Sequence, residues 1–503
     1  MSVGTNSEIL NAYKDSEIID LKGKTVVPGF NDAHMHFLNY AIQKNNVNIL
    51  NVNSIENLIS SSKEFLSKKN ISKDEWIVSR GWNENLFKEM RLPNKKDLDE
   101  ISKEHPIIFS RICGHIAVVN SKALELLNIT SITPNPSGGI IDKENNIPTG
   151  ILRENALNII LDKLPPMKVS QIKEALKLAF NDALSCGLTT IQTEDLTHCK
   201  SLRNLITAYN ELEQAGELPL RFILQLNLNT DKLLEEAKDL GLRTNVGNNF
   251  VKIGPVKLFQ DGSLGGRTAA MLEPYNDENH KGVLIYDQQE LDNLVMKAHK
   301  YGFQLTIHAI GDGACNSVLN SYEYLSKLCG NSDLRSTIVH AQFTNDALLN
   351  RFKSLGVMAN VQPSFIMSDY PIVEKAIGTM RAEKSYAFSS MLTMGIPIAF
   401  SSDAPIESFN VMWGIYAAVN RKDLNGNPYA GFYPSESMSV LDALSCYTSG
   451  SSYMSFEEDF KGKIKEGYVA DFVILSEDIT KVSSEDIKEI RVLETYVDGI
   501  KRY

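Results

Sequence analysis

Short apolar runs alternate with amphipathic stretches along most of the chain, and this pattern predicts repeated units of a β-strand followed by an α-helix. The stretch "SQIKEALKLAFNDALSCG" predicts one of the helices. Its apolar residues recur at helical spacing, at Ile172, Ala175, Leu176, Ala179, Phe180, Ala183 and Leu184. We expect Ser170 to cap the N-terminus of this helix, Gly187 to end it, and a strand, "LTTIQTED", to follow.

Eight segments have the apolar composition of strands that are buried in a parallel sheet. In chain order they are "TVVPGFNDAHMH", "LTTIQTED", "LRFILQLN", "GPVKLFQDG", "FQLTIHAIGD", "STIVHAQF", "GVMANVQPSF" and "IPIAFSSDAP". Helical patterns lie between most of them. Eight such units close into a (β/α)8 TIM barrel, an α/β fold whose functional side chains lie at the carboxyl ends of the strands.

Two parts of the chain fall outside this barrel, which we assign to residues 28–454. About 150 residues separate the first two strands, far more than an ordinary loop, so we predict an inserted subdomain at about 40–165 over the barrel mouth. Its strand-like runs are "WIVSR" and "PIIFSR". We expect residues 1–27 and 455–503 to form a small β-sandwich domain from both termini, through "SEIIDLKGKTVV", "KGKIKEGYVADFVILS" and "VLETYVDGIKRY".

Composition excludes several functional classes. The net charge of −11 argues against a nucleic-acid partner, which usually requires a basic surface. No apolar run is long enough for a membrane helix, and "MSVGTNSEIL" lacks the pattern of a signal peptide, so we expect a cytoplasmic protein. The six cysteines have no C-x-x-C spacing, and we expect buried thiols rather than metal ligands at Cys113, Cys186, Cys199, Cys315, Cys329 and Cys446.

Histidines are concentrated where chemistry is expected in a barrel. Four of the nine fall at predicted strand ends, together with one aspartate and one lysine: His34, His36, His308, His340, Asp403 and Lys257. A single histidine in such a place is usually structural, whereas this cluster indicates a metal site. Imidazole and carboxylate ligands suit zinc and similar divalent ions, and the absence of cysteine favours a hydrolytic site over a closed structural one.

Lys257 requires its own explanation, because an ammonium group is repelled by nearby cations. If its amine reacts with carbon dioxide, the resulting carbamate is an anion that bridges two metal ions. Two alternatives stay open. Lys257 could instead form an ion pair with Asp261, or Glu194 or Asp195, at the end of the second strand, could replace it as the bridging ligand.

In the bridged arrangement, His34, His36 and Asp403 hold one divalent ion, and His308 and His340 hold the other. The two ions polarise a carbonyl group, stabilise the oxyanion, and supply a bridging hydroxide as the nucleophile near neutral pH. Asp403 would act as the general base, taking the proton from the water and delivering it to the leaving nitrogen.

These residues carry a family resemblance. "PGFNDAHMH", Lys257, "TIHAIGD", "IVHAQF", "SSDAP" and "GYVADFVIL" resemble the amidohydrolase superfamily. "GPVKLFQDGSLGGRTAAM", "RICGHIAVVNSKAL" and "PTGILREN" resemble its YtcJ-like branch, which includes N-substituted formamide deformylase and exoenzyme regulatory proteins. The resemblance implies a metal-dependent hydrolase of non-peptide C–N bonds (amide, formamide or cyclic amide) in a small-molecule substrate. It implies a carbamate on Lys257, Asp403 as the base, and allows a homodimer.

The start of the chain departs from this family, whose members generally begin with about two more strands ahead of "SVGTNSEIL". We therefore expect a terminal β-domain that is shortened, by truncation or naturally. The barrel should survive this, but a sheet edge would be left exposed.

Further candidates lie in segments that match the branch. Trp82, His115, Asn120 and Glu154 are predicted to bind substrate, with packing inside the subdomain as the alternative. Arg267 could bind an anionic group of the substrate or pair with a local carboxylate. Two aspartates are expected to orient neighbouring groups, and four histidines are expected on the surface: Asp261 and Asp312; His105, His198, His280 and His299.

Two rival functions remain. A mononuclear deaminase of the same superfamily carries a proton-shuttling glutamate three residues after the histidine of the fifth strand, and here that residue is Gly311. A catalytically silent regulatory or ligand-binding relative would be expected to have lost metal ligands, and none is missing.

Overall fold

A computed structural model describes residues 1–50, 52–69, 71–111, 115–136, 138–330 and 333–503. The chain divides into two compact units, one made of Met1–Leu38 with Val169–Tyr503 and the other of Asn39–Lys168. Within the described ranges, every helix is too short or too polar to cross a membrane. Cys113 lies outside them, and the five described cysteines are free thiols, three buried and two half-buried.

The larger unit contains eight parallel strands that neighbour one another in chain order. They are Phe30–Met35, Leu188–Glu194, Arg221–Leu226, Val251–Phe259, Leu305–Ala309, Thr337–His340, Met358–Val361 and Ile398–Phe400. At the carboxyl ends of the first and eighth strands, the Asp403 N–H donates to the His34 carbonyl at 2.9 Å and the His36 N–H to the Ala404 carbonyl at 2.7 Å. The predicted (β/α)8 barrel is confirmed.

Helices separate these strands and bury their apolar faces against them. The main ones are Val169–Ser185, Leu202–Gln214, Asp231–Asp239, Gln288–Lys300, Asp312–Cys329, Asp346–Leu355, Phe365–Ile377 and Val411–Asn420. In Val169–Ser185 all seven apolar residues predicted to share a face are buried. The prediction that Ser170 is the N-cap is wrong, because the helix begins one residue earlier. Gly187 follows the helix at a φ of +80°, a conformation that favours glycine.

Both ends of the chain contribute to an antiparallel sheet of four strands. Its strands are Thr25–Pro28, Phe472–Leu475, Val492–Val497 and Ile500–Lys501. Gly29 joins the first of them to the first barrel strand, and a Cβ atom there would lie 2.3 Å from Thr189 Oγ1. Only glycine therefore allows the chain to pass this close to the second barrel strand.

The amino-terminal end of the barrel is closed by the segment after the last helices. Glu457 is buried there between two lysines, 3.0 Å from Lys252 Nζ and 2.5 Å from Lys461 Nζ. Lys461 also donates to Thr190 Oγ1 at 3.1 Å, near the start of the second barrel strand. The histidines and the aspartate of the candidate site lie at the opposite, carboxyl-terminal end of the barrel.

The smaller unit, Asn39–Lys168, has its own sheet of five strands. In spatial order these are Ile77–Trp82, Ile107–Arg111, Ile116–Val119, Ile147–Glu154 and Gly139–Glu144. The first pair is parallel and the other pairs are antiparallel. Its helices are Ile55–Lys68, Lys95–Asp99, Ser121–Leu127 and Asn158–Lys163. The runs "WIVSR" and "PIIFSR" correspond to the first two strands.

Candidate metal centre

The end of the first barrel strand brings two histidines to one carboxylate. His34 Nε2 and His36 Nε2 lie 3.3 Å and 3.4 Å from Asp403 Oδ1. Asp403 follows the eighth strand, and its side chain is 10% exposed. The ligand atoms of the three residues lie within 4.8 Å of one another, which is the spacing that a single metal ion requires.

The Nδ1 atoms of these histidines have hydrogen-bond acceptors on the side away from Asp403. His34 Nδ1 lies 2.6 Å from Gln225 Oε1, and His36 Nδ1 lies 2.9 Å from the Glu194 carbonyl oxygen. Both partners are acceptors, so each Nδ1 carries a proton, and each Nε2 faces Asp403. Among the described residues, buried Asp403 Oδ1 has no hydrogen-bond donor. The two Nε2 atoms and this carboxylate oxygen converge, and such a set of nitrogen and oxygen ligands fits a divalent metal ion.

Lys257 lies inside this cluster, fully buried on the fourth strand. Its Nζ is 2.9 Å from His34 Nε2 and 4.3 Å from the centre of the Phe259 ring. Burial lowers its pKa to about 8, although the carboxylates of Asp403 and Glu194 act in the opposite direction. A lowered pKa increases the fraction of neutral amine, which is the form that reacts with carbon dioxide.

The ion pair between Lys257 and Asp261 is not found among the described residues. Asp261 instead accepts hydrogen bonds from the backbone N–H groups of Ala270, Ile310 and Gly311, at 2.8–3.0 Å. It orients the loop after the fifth strand, in line with the expected role. Asp312 likewise accepts from the Leu272 N–H at 2.7 Å.

His308 and His340 form a second pair, with ring centres 4.4 Å apart. His308 Nε2 lies 3.0 Å from the Gly262 carbonyl oxygen, which leaves Nδ1 available. His340 Nδ1 donates to Gln362 Oε1 at 2.7 Å, which leaves Nε2 available. Burial, together with the charge of His308, holds the pKa of His340 well below its ordinary value, so its imidazole is in the neutral form that binds metal.

The carboxylates at the end of the second strand lie behind His36. Glu194 Oε2 is 3.3 Å from His36 Nδ1, and Oε1 accepts from the Thr197 N–H at 2.9 Å. Burial acts to raise the pKa of Glu194, but its interactions with His36 outweigh burial and lower the pKa to about 2. Asp195 is occupied by the Tyr209 hydroxyl at 2.6 Å and the Leu38 N–H at 2.9 Å. Both carboxylates are thus engaged on the far side of His36 from Asp403.

His198 lies next to His36, and the prediction that it lies on the surface is wrong. It lies in the short helix Leu196–Cys199, half-buried, with its ring centre 5.8 Å from that of His36. Burial lowers its pKa to about 4. The surface prediction failed because the chain turns back at the end of the second strand, which no local motif indicates.

Two substrate-binding candidates have structural contacts within the smaller unit. Trp82 is fully buried in the core of that unit and donates from Nε1 to the Phe109 carbonyl at 2.9 Å. Asn120 Oδ1 accepts from the Ala123 N–H at 2.9 Å and caps the helix Ser121–Leu127. These contacts correspond to the packing alternative.

The other candidates have exposed or paired side chains. His115 Nδ1 and Glu154 Oε2 are 2.9 Å apart, and both side chains are more than half exposed. Glu154 has a φ of +50°, which is uncommon for a residue other than glycine. Arg267 forms two hydrogen bonds with Asp277, at 3.1 Å and 2.7 Å, so its guanidinium group is paired with a local carboxylate.

The position that would carry the deaminase glutamate cannot hold a side chain in this fold. A Cβ atom on Gly311 would lie 2.0 Å from the Ala270 carbonyl oxygen. The loop after the fourth strand occupies the space that a glutamate at this position would need. Geometry as well as residue identity therefore disfavours the mononuclear deaminase.

Comparisons with known proteins identify the family of the chain. A profile described as "Amidohydrolase family" matches residues 17–501. The "Putative amidohydrolase YtcJ" of Bacillus subtilis is 33% identical over 487 residues, covering 96% of this chain and 90% of that protein. N-substituted formamide deformylase of Arthrobacter pascens is 27% identical over 518 residues, covering 100% and 92%. An uncharacterized metal-dependent hydrolase from Pyrococcus furiosus has a TM-score of 0.79 at 31% identity, covering 96% of this chain and 94% of that one. The resemblance carried by the motifs is confirmed.

Proposed function

Because the chain belongs to the amidohydrolase family, we propose that it hydrolyses a non-peptide C–N bond of a small molecule in the cytoplasm. The bond is that of an amide, a formamide or a cyclic amide. The observation that carries this proposal is the convergence of His34 Nε2, His36 Nε2 and Asp403 Oδ1, whose residues offer ligand atoms within 4.8 Å of one another. The similarity to a formamide deformylase supports the choice of bond.

The proposed ligands divide into two groups. His34, His36 and Asp403 would hold one divalent ion, His308 and His340 the other, with a carbamate on Lys257 between them. Zinc is our first candidate, since imidazole and carboxylate suit it. Such ions supply a Lewis acid for the carbonyl oxygen and lower the pKa of water toward neutrality.

The proton transfers are assigned to Asp403. Its carboxylate takes the proton from the attacking water and delivers it to the leaving nitrogen as the C–N bond breaks. Asp403 suits this role because its position is maintained by the backbone hydrogen bond to the His34 carbonyl at 2.9 Å.

Two aromatic rings beside the histidines suggest what the substrate carries. Phe259 lies 5.4 Å from the His308 ring, and Phe365 stacks on the His340 ring at 5.6 Å. We assign these faces to an apolar substituent on the substrate nitrogen or acyl group. Arg267 is occupied by Asp277, so an anionic substituent is not favoured.

Elemental analysis combined with a substrate panel tests the proposal. We expect about two divalent metal ions per chain, and hydrolysis of at least one N-substituted formamide, N-acyl amine or cyclic imide that is lost on chelation and restored by zinc. Absence of metal after zinc supplementation would overturn the proposal. Bound metal without turnover of any substrate would favour the silent regulatory alternative.

A further inference from the structure

Two buried glutamines lie directly behind two of the metal-facing histidines. Gln225 is on the third barrel strand, and its Oε1 lies 2.6 Å from His34 Nδ1. Gln362 follows the seventh strand, and its Oε1 lies 2.7 Å from His340 Nδ1. They are only 1% and 3% exposed, so solvent does not compete for these contacts. A buried amide here needs partners for its nitrogen as well as its oxygen.

Those partners determine which end of each amide faces the histidine. Gln225 Nε2 donates to the Ala33 carbonyl oxygen at 2.9 Å. Gln362 Nε2 donates to Ser401 Oγ at 2.8 Å, and Ser401 in turn donates to Asn360 Oδ1. Because each NH2 group has an acceptor, Oε1 must face the imidazole. The histidine nitrogen opposite must then carry the proton.

The two sets of contacts meet at one atom. Asn360 Nδ2 donates to the Ala33 carbonyl oxygen at 2.9 Å, the same atom that accepts from Gln225. We call this network the amide belt, and its members are Gln225, Asn360, Gln362, Ser401 and the Ala33 carbonyl. Every hydrogen bond in it is directed away from the histidines and toward Ala33. All of its side chains are neutral and buried.

The other two histidines have backbone carbonyl oxygens as the acceptors of their N–H groups. His36 Nδ1 donates to the Glu194 carbonyl, and His308 Nε2 to the Gly262 carbonyl. Each of the four imidazoles therefore has an oxygen acceptor on one nitrogen, which directs the other nitrogen toward the proposed metal ions. Unlike these backbone carbonyl oxygens, the amide oxygens of Gln225 and Gln362 can be removed by substitution.

We propose that Gln225 and Gln362 are positioning residues. Through the amide belt they fix His34 and His340 as Nδ1–H tautomers and aim the Nε2 lone pairs at the metal ions. This inference rests on the proposed metal site. Removing such a partner of a ligating histidine costs about 10–100-fold in metal affinity. A neutral amide fixes the tautomer without adding negative charge behind the ligand.

The chain offers a matched control for ordinary packing of a buried glutamine. Gln304 lies ahead of the fifth strand and is 8% exposed. Its Nε2 donates to the carbonyl oxygens of Arg335 and Met454, at 2.9 Å and 3.0 Å. It has no hydrogen bond to a metal-facing histidine among the described residues. Gln304→Met removes the same group from the same barrel.

The test compares zinc affinity in Gln225→Met, Gln362→Met and Gln304→Met by competition with a chromophoric chelator. We expect about 10–100-fold weaker binding in the first two variants and wild-type binding in the control. Wild-type affinity in Gln225→Met and Gln362→Met would overturn the inference. If the unmodified protein itself bound no zinc, the metal proposal would fail instead.

A second readout is independent of metal. Long-range ¹H–¹⁵N spectra of the metal-free protein, labelled at histidine, distinguish the two tautomers. We expect His34 and His340 to be protonated at Nδ1, and His340 to become a tautomer mixture in Gln362→Met. Nε2–H tautomers in the unmodified protein would refute the inference. If a glutamine variant does not fold, Ser401→Ala takes its place, because it removes the hydroxyl that accepts from the Gln362 amide. Ser401→Thr keeps that hydroxyl and should restore the wild-type spectrum.

Discussion

Asp403 is held in position by its backbone at the point where the first and eighth strands meet. Its φ of +58° is uncommon for a residue other than glycine, and its N–H is bonded to the His34 carbonyl at 2.9 Å. Strained residues of this kind are concentrated at functional sites, where surrounding contacts stabilise them. Because Asp403 Oδ1 has no hydrogen-bond donor among the described residues, we expect that the carboxylate can be replaced by an amide with little effect on the fold.

We predict that Asp403→Asn folds normally but has lost most of its turnover. The amide cannot accept the proton, and loss of general acid–base catalysis costs about 10²–10⁴-fold. Steady-state rates at saturating zinc measure this, with the melting temperature as a check on folding. Asp287→Asn is the control, since Asp287 only caps a helix and asparagine also caps well. Wild-type turnover in Asp403→Asn would remove Asp403 as the base.

We predict that Lys257→Ala loses bound metal and activity, and that formate or acetate restores both in part. A small carboxylic acid can occupy the space of the carbamate and supply its oxygens. Lys252→Ala, on the same strand but paired with Glu457, should show no such rescue. Unchanged metal content in Lys257→Ala without rescue would argue that Lys257 is not a bridging ligand.

The individual site residues that the sequence predicts are those in a recognisable motif or at an unusual position in an apolar run. His34 and His36 are two residues apart at the end of a predicted strand, and Lys257 is a charge inside an apolar run. Gln225, Gln362 and His198 have no such signal. Their roles depend on partners that are distant along the chain, such as Gln225 and His34, 191 residues apart. Only the closed barrel brings these residues together.

The helix after the fifth strand starts in a restricted space. Gly311 precedes Asp312–Cys329, and its N–H donates to Asp261 Oδ2 at 2.8 Å. The Ala314 N–H donates to the Ala270 carbonyl at 3.1 Å, so the loop after the fourth strand packs directly against the helix start. The helix that follows the strand of His308 therefore depends on Gly311 for its packing, and Gly311 has an ordinary backbone conformation.

We predict that Gly311→Ala destabilises the protein by about 1–3 kcal/mol, the usual cost of overpacking. Its Cβ atom would lie 2.0 Å from the Ala270 carbonyl oxygen. Gly265→Ala is the matched control, because a Cβ atom at Gly265 would meet nothing within 4 Å. Chemical denaturation measures both. Equal stability of the two variants would show that the loop adapts without cost.

Elements were predictable to different degrees in the two units. Barrel strands are buried on both faces, so each one is a nearly continuous apolar run that can be recognised from local sequence alone. In the smaller unit, Ile116–Val119, Gly139–Glu144 and Ile147–Glu154 were not predicted. Ile147–Glu154 alternates between half-buried and buried positions over most of its length, and such a pattern is weaker than an apolar run.

The barrel and the terminal sheet are joined by a buried ion pair. Arg221 begins the third barrel strand, and its Nε and Nη2 lie 2.7 Å and 2.9 Å from the carboxylate oxygens of Asp471. Asp471 immediately precedes Phe472–Leu475, and its carbonyl accepts from the Gly29 N–H at 3.0 Å. Sequence predicted the return of the chain at "GYVADFVIL", but not that an arginine 250 residues away would be its partner.

We predict that Arg221→Met lowers the free energy of unfolding by about 3–5 kcal/mol, because it leaves the Asp471 carboxylate buried without its cation. Arg221→Met combined with Asp471→Asn should recover much of that loss. Asparagine removes the unpaired charge, and its Oδ1 can still accept from the Asp498 N–H, as Asp471 Oδ1 does at 2.8 Å.

Lys68→Met, which breaks an exposed pair with Glu64, is the control and should leave stability unchanged within error. Denaturation followed by both fluorescence and circular dichroism measures all three variants. If the double variant were no more stable than Arg221→Met, the loss would come from the arginine's packing against the Phe250 ring, 4.7 Å away, and not from the unpaired carboxylate. The ion pair would then contribute less to the attachment of the terminal sheet than the aliphatic and aromatic contacts around it.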